Sequence, residues 1–514
     1  MTKKQLSAPK SSSILTQRSS GVLLHPTSLP GPYGIGDIGP SADTFLKFLA
    51  ESKQRLWMML PTSPTSVGEF HSPYSSYSAF AGNPLLISPD RLVESGACSA
   101  LAAASFASRC RGKNPLRVDF RKVAPHKERF LREVFDQQKT KSSVKRGLDR
   151  FRSEQSWVED FALFTSLRKS QGKPRSEWTR ELRVKNQKNA AQLTKTLSDQ
   201  IEFETYCQMI FFEQFTALKK KANQQGIAIF GDLPIYISDD SADVWASPQF
   251  FSLDKEKRPT LLSGCPPDAF ATTGQLWGHP IYDWAALKRD NFSWWVDRMR
   301  TVMQLADVVR IDHFRGLAAY YAVPYGSKTA EHGKWYKCPG EGLLSAFQQA
   351  FGSVPVVAED LGFITDDVHQ LRDSFNLLGM RVLQFGFGAD GYDTNIHAPF
   401  NVSPQSVIFT GTHDNDTAKG WLGSVSAEER KRIFTLMGKP PRSEFERAFV
   451  RLALSTPAKL AITPLQDILG LGSTGRMNRP GFARWDNWSW RFNDSLQSSV
   501  DWLREITEAT GRAG

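Results

Sequence analysis

Cysteine is scarce in this 514-residue chain. The five present, Cys98, Cys110, Cys207, Cys265 and Cys338, are odd in number, and no two have the spacing of a metal-binding pair. That argues against a disulfide scaffold or a zinc module, and reduced thiols in a cytoplasmic protein are expected. Long apolar runs are also missing, so no membrane span is expected. The first twenty residues have no apolar centre of the secretory type. They are rich in Ser and Lys, and no acidic residue precedes Asp37. A transit peptide is compatible with that composition, and a disordered tail over residues 1–18 is the simpler expectation. No repeat of fixed period is present. Acidic residues fall short overall, giving a net charge of +11, but the shortfall is local. Residues 101–200 hold 24 Lys and Arg against 11 Asp and Glu, while the rest of the chain holds 40 against 42. A solvated basic surface on one segment accounts for this. A nucleic-acid partner would have charge alone behind it and is not expected.

What the chain does contain is a large apolar fraction, 40%, and many aromatics, including 14 Trp and 34 Phe. Eight short apolar runs end in polar residues and lead into helical patterns: Gly21–His25, Arg55–Leu60, Ile227–Leu233, Asp307–Asp312, Val354–Glu359, Met380–Phe385, Val407–Thr410 and Lys459–Thr463. Strands buried on both faces read as such continuous runs. Eight of them fit an α/β fold of the (β/α)8 barrel type, although an open doubly wound sheet would read similarly. More than 160 residues separate the second and third runs, too many for a structureless connection. Helical patterns fill the gap at Lys127–Asp136, Trp157–Lys169 and about 190–223, with Gly226 as a stop. A mostly helical subdomain is therefore expected at about 88–198, inserted between the second and third strands of one catalytic barrel spanning 19–514.

Catalytic groups in such barrels sit at the C-terminal strand ends. Asp312 ends the fourth run, Glu359 ends the fifth, and Asp414 follows the seventh in "FTGTHDNDT". Two carboxylates about 5–5.5 Å apart can cleave a glycosidic bond with retention, one attacking the anomeric carbon and the other protonating the leaving oxygen. Arg310, two residues before Asp312 and on the same strand face, would keep the nucleophile ionised. Burial beside other carboxylates would keep Glu359 protonated. Asp414, His313 and His413 could hold sugar hydroxyls. Each feature has a plainer counterpart. "RID" can be a structural ion pair, Asp360 of "AED" can cap the next helix, and "HDND" can be an Asx turn or an oxygen-rich cation loop. Trp277 and Tyr74 can be packing. The joint placement of three acids at strand ends favours a glycosidase-like barrel.

At these residues the sequence resembles the 4-α-glucanotransferases, the amylomaltase and disproportionating enzyme family. The resemblance runs from "SSGVLLHPTSLPGPYGIGDIG" through "SPYSSYSAFAGNP", "GDLPIYISDDSADVW", "PPDAFATTGQLWGHPIYDW", "VVRIDHFRG", "AEDLG" and "GTHDNDT" to "GRMNRPG", nearly the whole chain. It implies a retaining α-amylase-like barrel with a helical insertion. It implies Asp312 as nucleophile, Glu359 as acid/base and Asp414 as stabiliser of the transition state. It implies sugar contacts from Tyr74, Asp232, Gln275, Trp277, Arg310, His313, His413 and Asn478, and a flexible substrate-covering loop around Phe250 and Phe251. No metal or organic cofactor is implied. The implied partners are maltooligosaccharides and α-1,4-glucans, with no nucleic acid and no membrane, and a monomer is expected. The chain departs from the family pattern at Ser75, His279, Cys338 and Phe482 and in the run through Trp485. A hydrolase of the same fold and a catalytically inactive glucan-binding protein are the rival expectations.

Overall fold

The computed structural model describes residues 14–267, 271–388, 392–493 and 495–513. Most of the tail expected at 1–18 lies outside the described residues. Twelve strands are formed among these residues. Eight are parallel and close into a barrel: β1 (Ser19–Leu23), β2 (Leu56–Met58), β3 (Ala228–Leu233), β6 (Val308–Ile311), β9 (Val356–Ala358), β10 (Leu378–Val382), β11 (Ser406–Phe409) and β12 (Leu460–Pro464). Each pairs with the next in chain order, and β12 returns to pair with β1. The eight apolar runs of the sequence are these eight strands, with ends differing by at most three residues. Their residues are almost all buried, because helices cover the outside and side chains fill the inside. The packing leaves little room. A Cβ on Gly21 of β1 would lie 2.5 Å from the Leu56 Cβ and carbonyl oxygen of β2, so only glycine fits there.

Between β2 and β3 lie the helices Ala100–Cys110, Phe120–Gln138, Ser142–Glu154, Val158–Gln171, Gln187–Thr196 and Ser198–Gln224. The last ends at Gly226, whose φ of 72° suits the turn into β3. Their apolar faces are continuous with the barrel: Phe106, Phe130, Phe135, Phe211 and Phe215 belong to the same buried cluster as Trp57 and Val308. A smaller cluster around Phe164, Trp178 and Trp245 joins the helix Val158–Gln171 to the loop after β3. Among the described residues no helix is long and apolar enough to cross a membrane.

The remaining strands were not anticipated. β4 (Leu261–Cys265), β5 (Gln275–Pro280), β7 (Ala319–Pro324) and β8 (Lys334–Lys337) form an antiparallel sheet in the order β5-β4-β7-β8. It is built from the connections that follow β3 and β6, so it stands over the C-terminal end of the barrel, where it supplies one wall of the cleft.

Candidate functional site

Strand register brings two of the acids together. β6 and β9 pair Ile311 with Ala358, so Asp312 and Glu359, the next residue of each chain, leave the barrel side by side. The backbone N–H of Glu359 donates to the Ile311 carbonyl at 3.1 Å and that of Asp312 to the Leu233 carbonyl at 3.0 Å. Asp414 lies five residues beyond the end of β11, in a loop turned by Asn415, whose Oδ1 accepts from the backbone N–H and the hydroxyl of Thr412, both at 2.8 Å. The "HDND" stretch therefore contains a side-chain turn, while the neighbouring Asp414 carboxylate lines the cleft.

Arg310 lies beneath these groups, buried within β6. Its Nη2 is 2.8 Å from Asp312 Oδ1, and its Nη1 donates to Asp232 Oδ1 at 2.8 Å and Oδ2 at 2.9 Å. One guanidinium thus ties together carboxylates from two adjacent strands. Burial raises Asp232 above its ordinary range, and the Arg310 charge works against that. The Tyr74 hydroxyl donates to Asp232 Oδ2 at 2.6 Å. The Tyr74 ring stacks on His413, with centroids 5.0 Å apart and planes 20° apart. Asn478 completes the chain of contacts: its N–H donates to the His413 carbonyl at 3.1 Å and its side-chain amide to Asp414 Oδ1 at 2.6 Å.

Glu359 has a different environment. Its Oε2 accepts from the His313 backbone N–H at 2.7 Å and its Oε1 from the Leu361 N–H at 3.0 Å. His313 can direct its N–H there because it adopts a left-handed conformation, φ 52°. Burial nonetheless pushes the Glu359 carboxyl up to about 8, with the Asp312 charge acting in the same direction and Arg310 and the two N–H donors opposing. The carboxyl is therefore protonated at neutral pH. Burial has the opposite consequence for the imidazole of His313, which falls to about 4 and stays neutral. That ring meets Trp277 edge-on, centroids 4.7 Å apart, and its Nε2 has no hydrogen-bond partner among the described residues.

These groups line a cleft of about 650 Å³. Asp312, Glu359 and Asp414 are in its lining, with Tyr74, Gln275, Trp277, His313, His413 and Asn478. On β5 the cleft takes Gln275, Trp277 and His279, alternate residues of one strand face. Arg310 and Asp232 are not in the lining: their side chains are 6% and 0% exposed. As placed, they position Asp312 and Tyr74 and do not face the cleft. Asp360 caps no helix, contrary to one expectation. It is buried, accepts from the Met380 N–H at 2.6 Å and pairs with Arg372 and Arg381, while the next helix, Asp366–Ser374, starts after Thr365. Phe250 and Phe251 are not in the lining of the cleft. Phe251 is 4% exposed, stacks on Tyr282 at 5.2 Å and forms a backbone bridge to it. Sequence reasoning missed Tyr236, a cleft residue whose ring centroid is 6.0 Å from that of Trp277 and whose buried hydroxyl has no partner among the described residues. Its only signal was its place in "DLPIYISDD".

A sequence profile of the family described as 4-alpha-glucanotransferase matches residues 24–497. The chain is 43% identical to the 4-alpha-glucanotransferase of Synechocystis sp. over 511 residues, covering 97% of this chain and 99% of the relative. It is 43% identical to that of Thermus thermophilus, covering 96% and 99%. Among solved structures, an amylomaltase from Streptococcus agalactiae in complex with acarbose superposes with a TM-score of 0.93 at 34% identity, covering 96% of this chain and 100% of the other.

Proposed function

The chain belongs to the 4-alpha-glucanotransferase family, and from that premise we propose that its cleft transfers a segment of an α-1,4-glucan to the 4-hydroxyl of another glucan or of glucose by a retaining double displacement. Asp312, ion-paired with Arg310, attacks the anomeric carbon. Glu359 gives its proton to the departing glycosidic oxygen, so the C–O bond to the leaving glucan breaks as the bond to Asp312 forms. The 4-hydroxyl of the acceptor then displaces Asp312, and Glu359 takes the hydroxyl proton back. Two inversions give retention. One α-1,4 bond forms for each one broken, so no energy source is required. Asp414, held by Asn478, is the acid to face the ring carbon that becomes positive, and His313, neutral and with no partner for its Nε2 among the described residues, suits a sugar hydroxyl.

The observation that carries this reading is the contrast between two neighbouring carboxyls, one buried and protonated, the other ion-paired. Glu359 keeps its proton to about pH 8, and Asp312 sits on a guanidinium. A buried, protonated carboxyl beside one held by a guanidinium is what acid and nucleophile roles require. The acarbose in the Streptococcus agalactiae relative supports an oligosaccharide as the occupant of the cleft. The partners are maltooligosaccharides and longer α-1,4-glucans, the compartment is the cytoplasm and the working form is a monomer. The thiols of Cys98, Cys110, Cys207 and Cys338 suit a reducing compartment.

The test is incubation with maltotriose and separation of products by length. Glucose together with maltopentaose and longer chains, at constant total reducing ends, is the expected result. Rising reducing ends with shorter products alone would replace transfer by hydrolysis, and no change would leave a binding protein.

A further inference from the structure

The steps above ask Asp414 to face the reacting ring, yet its carboxylate is half exposed and stands on a loop. Whatever fixes that loop therefore bears on the chemistry. One buried acid pins both ends: Asp467, just past β12, accepts from the Thr410 hydroxyl at 2.6 Å and from the Ala418 N–H at 2.7 Å. Gln384, just past β10, donates to the Asp416 carbonyl at 2.8 Å. Between the loop and the strand ends lies a cavity of about 30 Å³, lined by Asn415 and Asp416 of the loop, Leu23 and Pro464 of β1 and β12, and Arg476. Close packing under the loop is interrupted there, so hydrogen bonds set where Asp414 stands.

Arg476 grips the middle of the loop. Its Nη2 donates to the Asp414 carbonyl at 2.6 Å and its Nε to the Asn478 carbonyl at 2.7 Å. Those are the two residues whose side chains meet, Asn478 Nδ2 donating to Asp414 Oδ1 at 2.6 Å. The contacts close a ring that runs from the guanidinium through the Asp414 backbone and carboxylate to the Asn478 amide and backbone, and back. A planar guanidinium presents its donors in a fixed fork, so it holds two acceptors at a set separation. The ammonium of a lysine is a single charge on a flexible stem and does not reproduce that spacing. The Asn478 N–H, bound to the His413 carbonyl at 3.1 Å, keeps the segment after Arg476 against the same loop. Arg476 is not in the lining of the cleft, so its place is explained by the loop and not by a sugar.

We propose that Arg476 is a positioning residue for the transfer reaction, aiming the Asp414 carboxylate at the reacting ring by holding the Asp414 and Asn478 backbones in one fork. This rests on the function proposed above and adds to it a residue that touches no substrate.

Arg476→Met removes both hydrogen bonds and keeps an apolar stem in place. Its kcat for transfer from maltotriose is expected to fall about 10²-fold, the cost of misplacing a reacting group by about 1 Å. KM is expected to stay within about threefold of wild type, because the lost interaction is made in the transition state. Arg476→Lys, which reaches one carbonyl at a time, is expected to give a kcat between those of Arg476→Met and wild type. The Asp414→Asn background separates positioning from support of the fold. There, adding Arg476→Met is expected to lower kcat by less than about threefold further, because a residue that acts through Asp414 has nothing left to aim. A loss in that background as large as the loss in wild type overturns the proposal, and so does a wild-type kcat in Arg476→Met. Should Arg476→Met fail to fold, Arg476→Lys in the two backgrounds carries the same comparison, with the same outcomes for and against. A wild-type protein that transfers nothing from maltotriose overturns the proposed function, whereas normal wild-type transfer with an unaffected Arg476→Met overturns the positioning role alone.

Discussion

Replacing Glu359 by glutamine should abolish transfer and at the same time stabilise the fold at alkaline pH. A glutamate in the unfolded chain loses its proton near pH 4.5, whereas Glu359 in the fold keeps it to about 8. Between those values the folded state holds a proton that the unfolded state has released, so stability falls as pH rises through the window. The gap, at about 1.4 kcal/mol per pH unit, sets a ceiling of about 5 kcal/mol on the penalty. Partial exposure of the carboxylate reduces it, leaving about 2–3 kcal/mol. The glutamine side chain of the variant does not ionise and escapes the penalty, although its amide satisfies the donors of His313 and Leu361 less well than a carboxylate, a loss of about 1 kcal/mol that does not vary with pH. Urea denaturation of wild type and Glu359→Gln at pH 5 and pH 9 separates the two effects. The variant should gain about 2–3 kcal/mol on wild type between pH 5 and pH 9. A stability difference that is the same at both pH values would refute burial as what holds the proton on Glu359.

The same titration sets one limb of the rate profile: transfer should decline as pH rises above about 8, because the leaving oxygen then finds no proton, and a rate that stays flat to pH 10 would contradict it. Asp312→Asn should lower kcat by about 10³-fold or more, and combining it with Glu359→Gln should cost little further, because the two groups act as a unit. Additive losses in the double variant would argue for independent roles. Arg310→Met removes the cation shared by Asp232 and Asp312. It should cost about 3–5 kcal/mol of stability at pH 7, the range for stripping one partner from a buried pair, and a loss below about 1 kcal/mol would show that the pair is dispensable.

The barrel was legible because parallel strands covered on both faces leave continuous apolar runs in the sequence. The sheet β5-β4-β7-β8 left no such trace. Gly264, Gly278 and Pro280 interrupt its strands, and all four residues of β8 are exposed. The helix read as Lys127–Asp136 runs from Phe120 to Gln138 and continues through Pro125, where proline removes one hydrogen bond without ending the helix. The three acids were legible from their places at strand ends. Asp360 was not, because its partners Arg372 and Arg381 lie 12 and 21 residues away in sequence. Burial of Arg310 and Asp232 was equally hidden: "RID" shows that an arginine precedes an aspartate but not that its second partner comes from β3. Phe251 shows the limit for aromatics, since nothing in "QFFSL" distinguishes a ring packed on Tyr282 from one facing a cleft.

Covalent trapping tests the central claim most directly. An α-maltosyl fluoride needs no acid to lose fluoride, so Glu359→Gln should form the glycosyl-enzyme and fail to pass it on for want of a base. Digestion and mass spectrometry should find a maltosyl adduct on the peptide carrying Asp312. An adduct on another residue, or consumption of the fluoride by Glu359→Gln at the wild-type rate with no adduct, would contradict the double displacement assigned to this cleft.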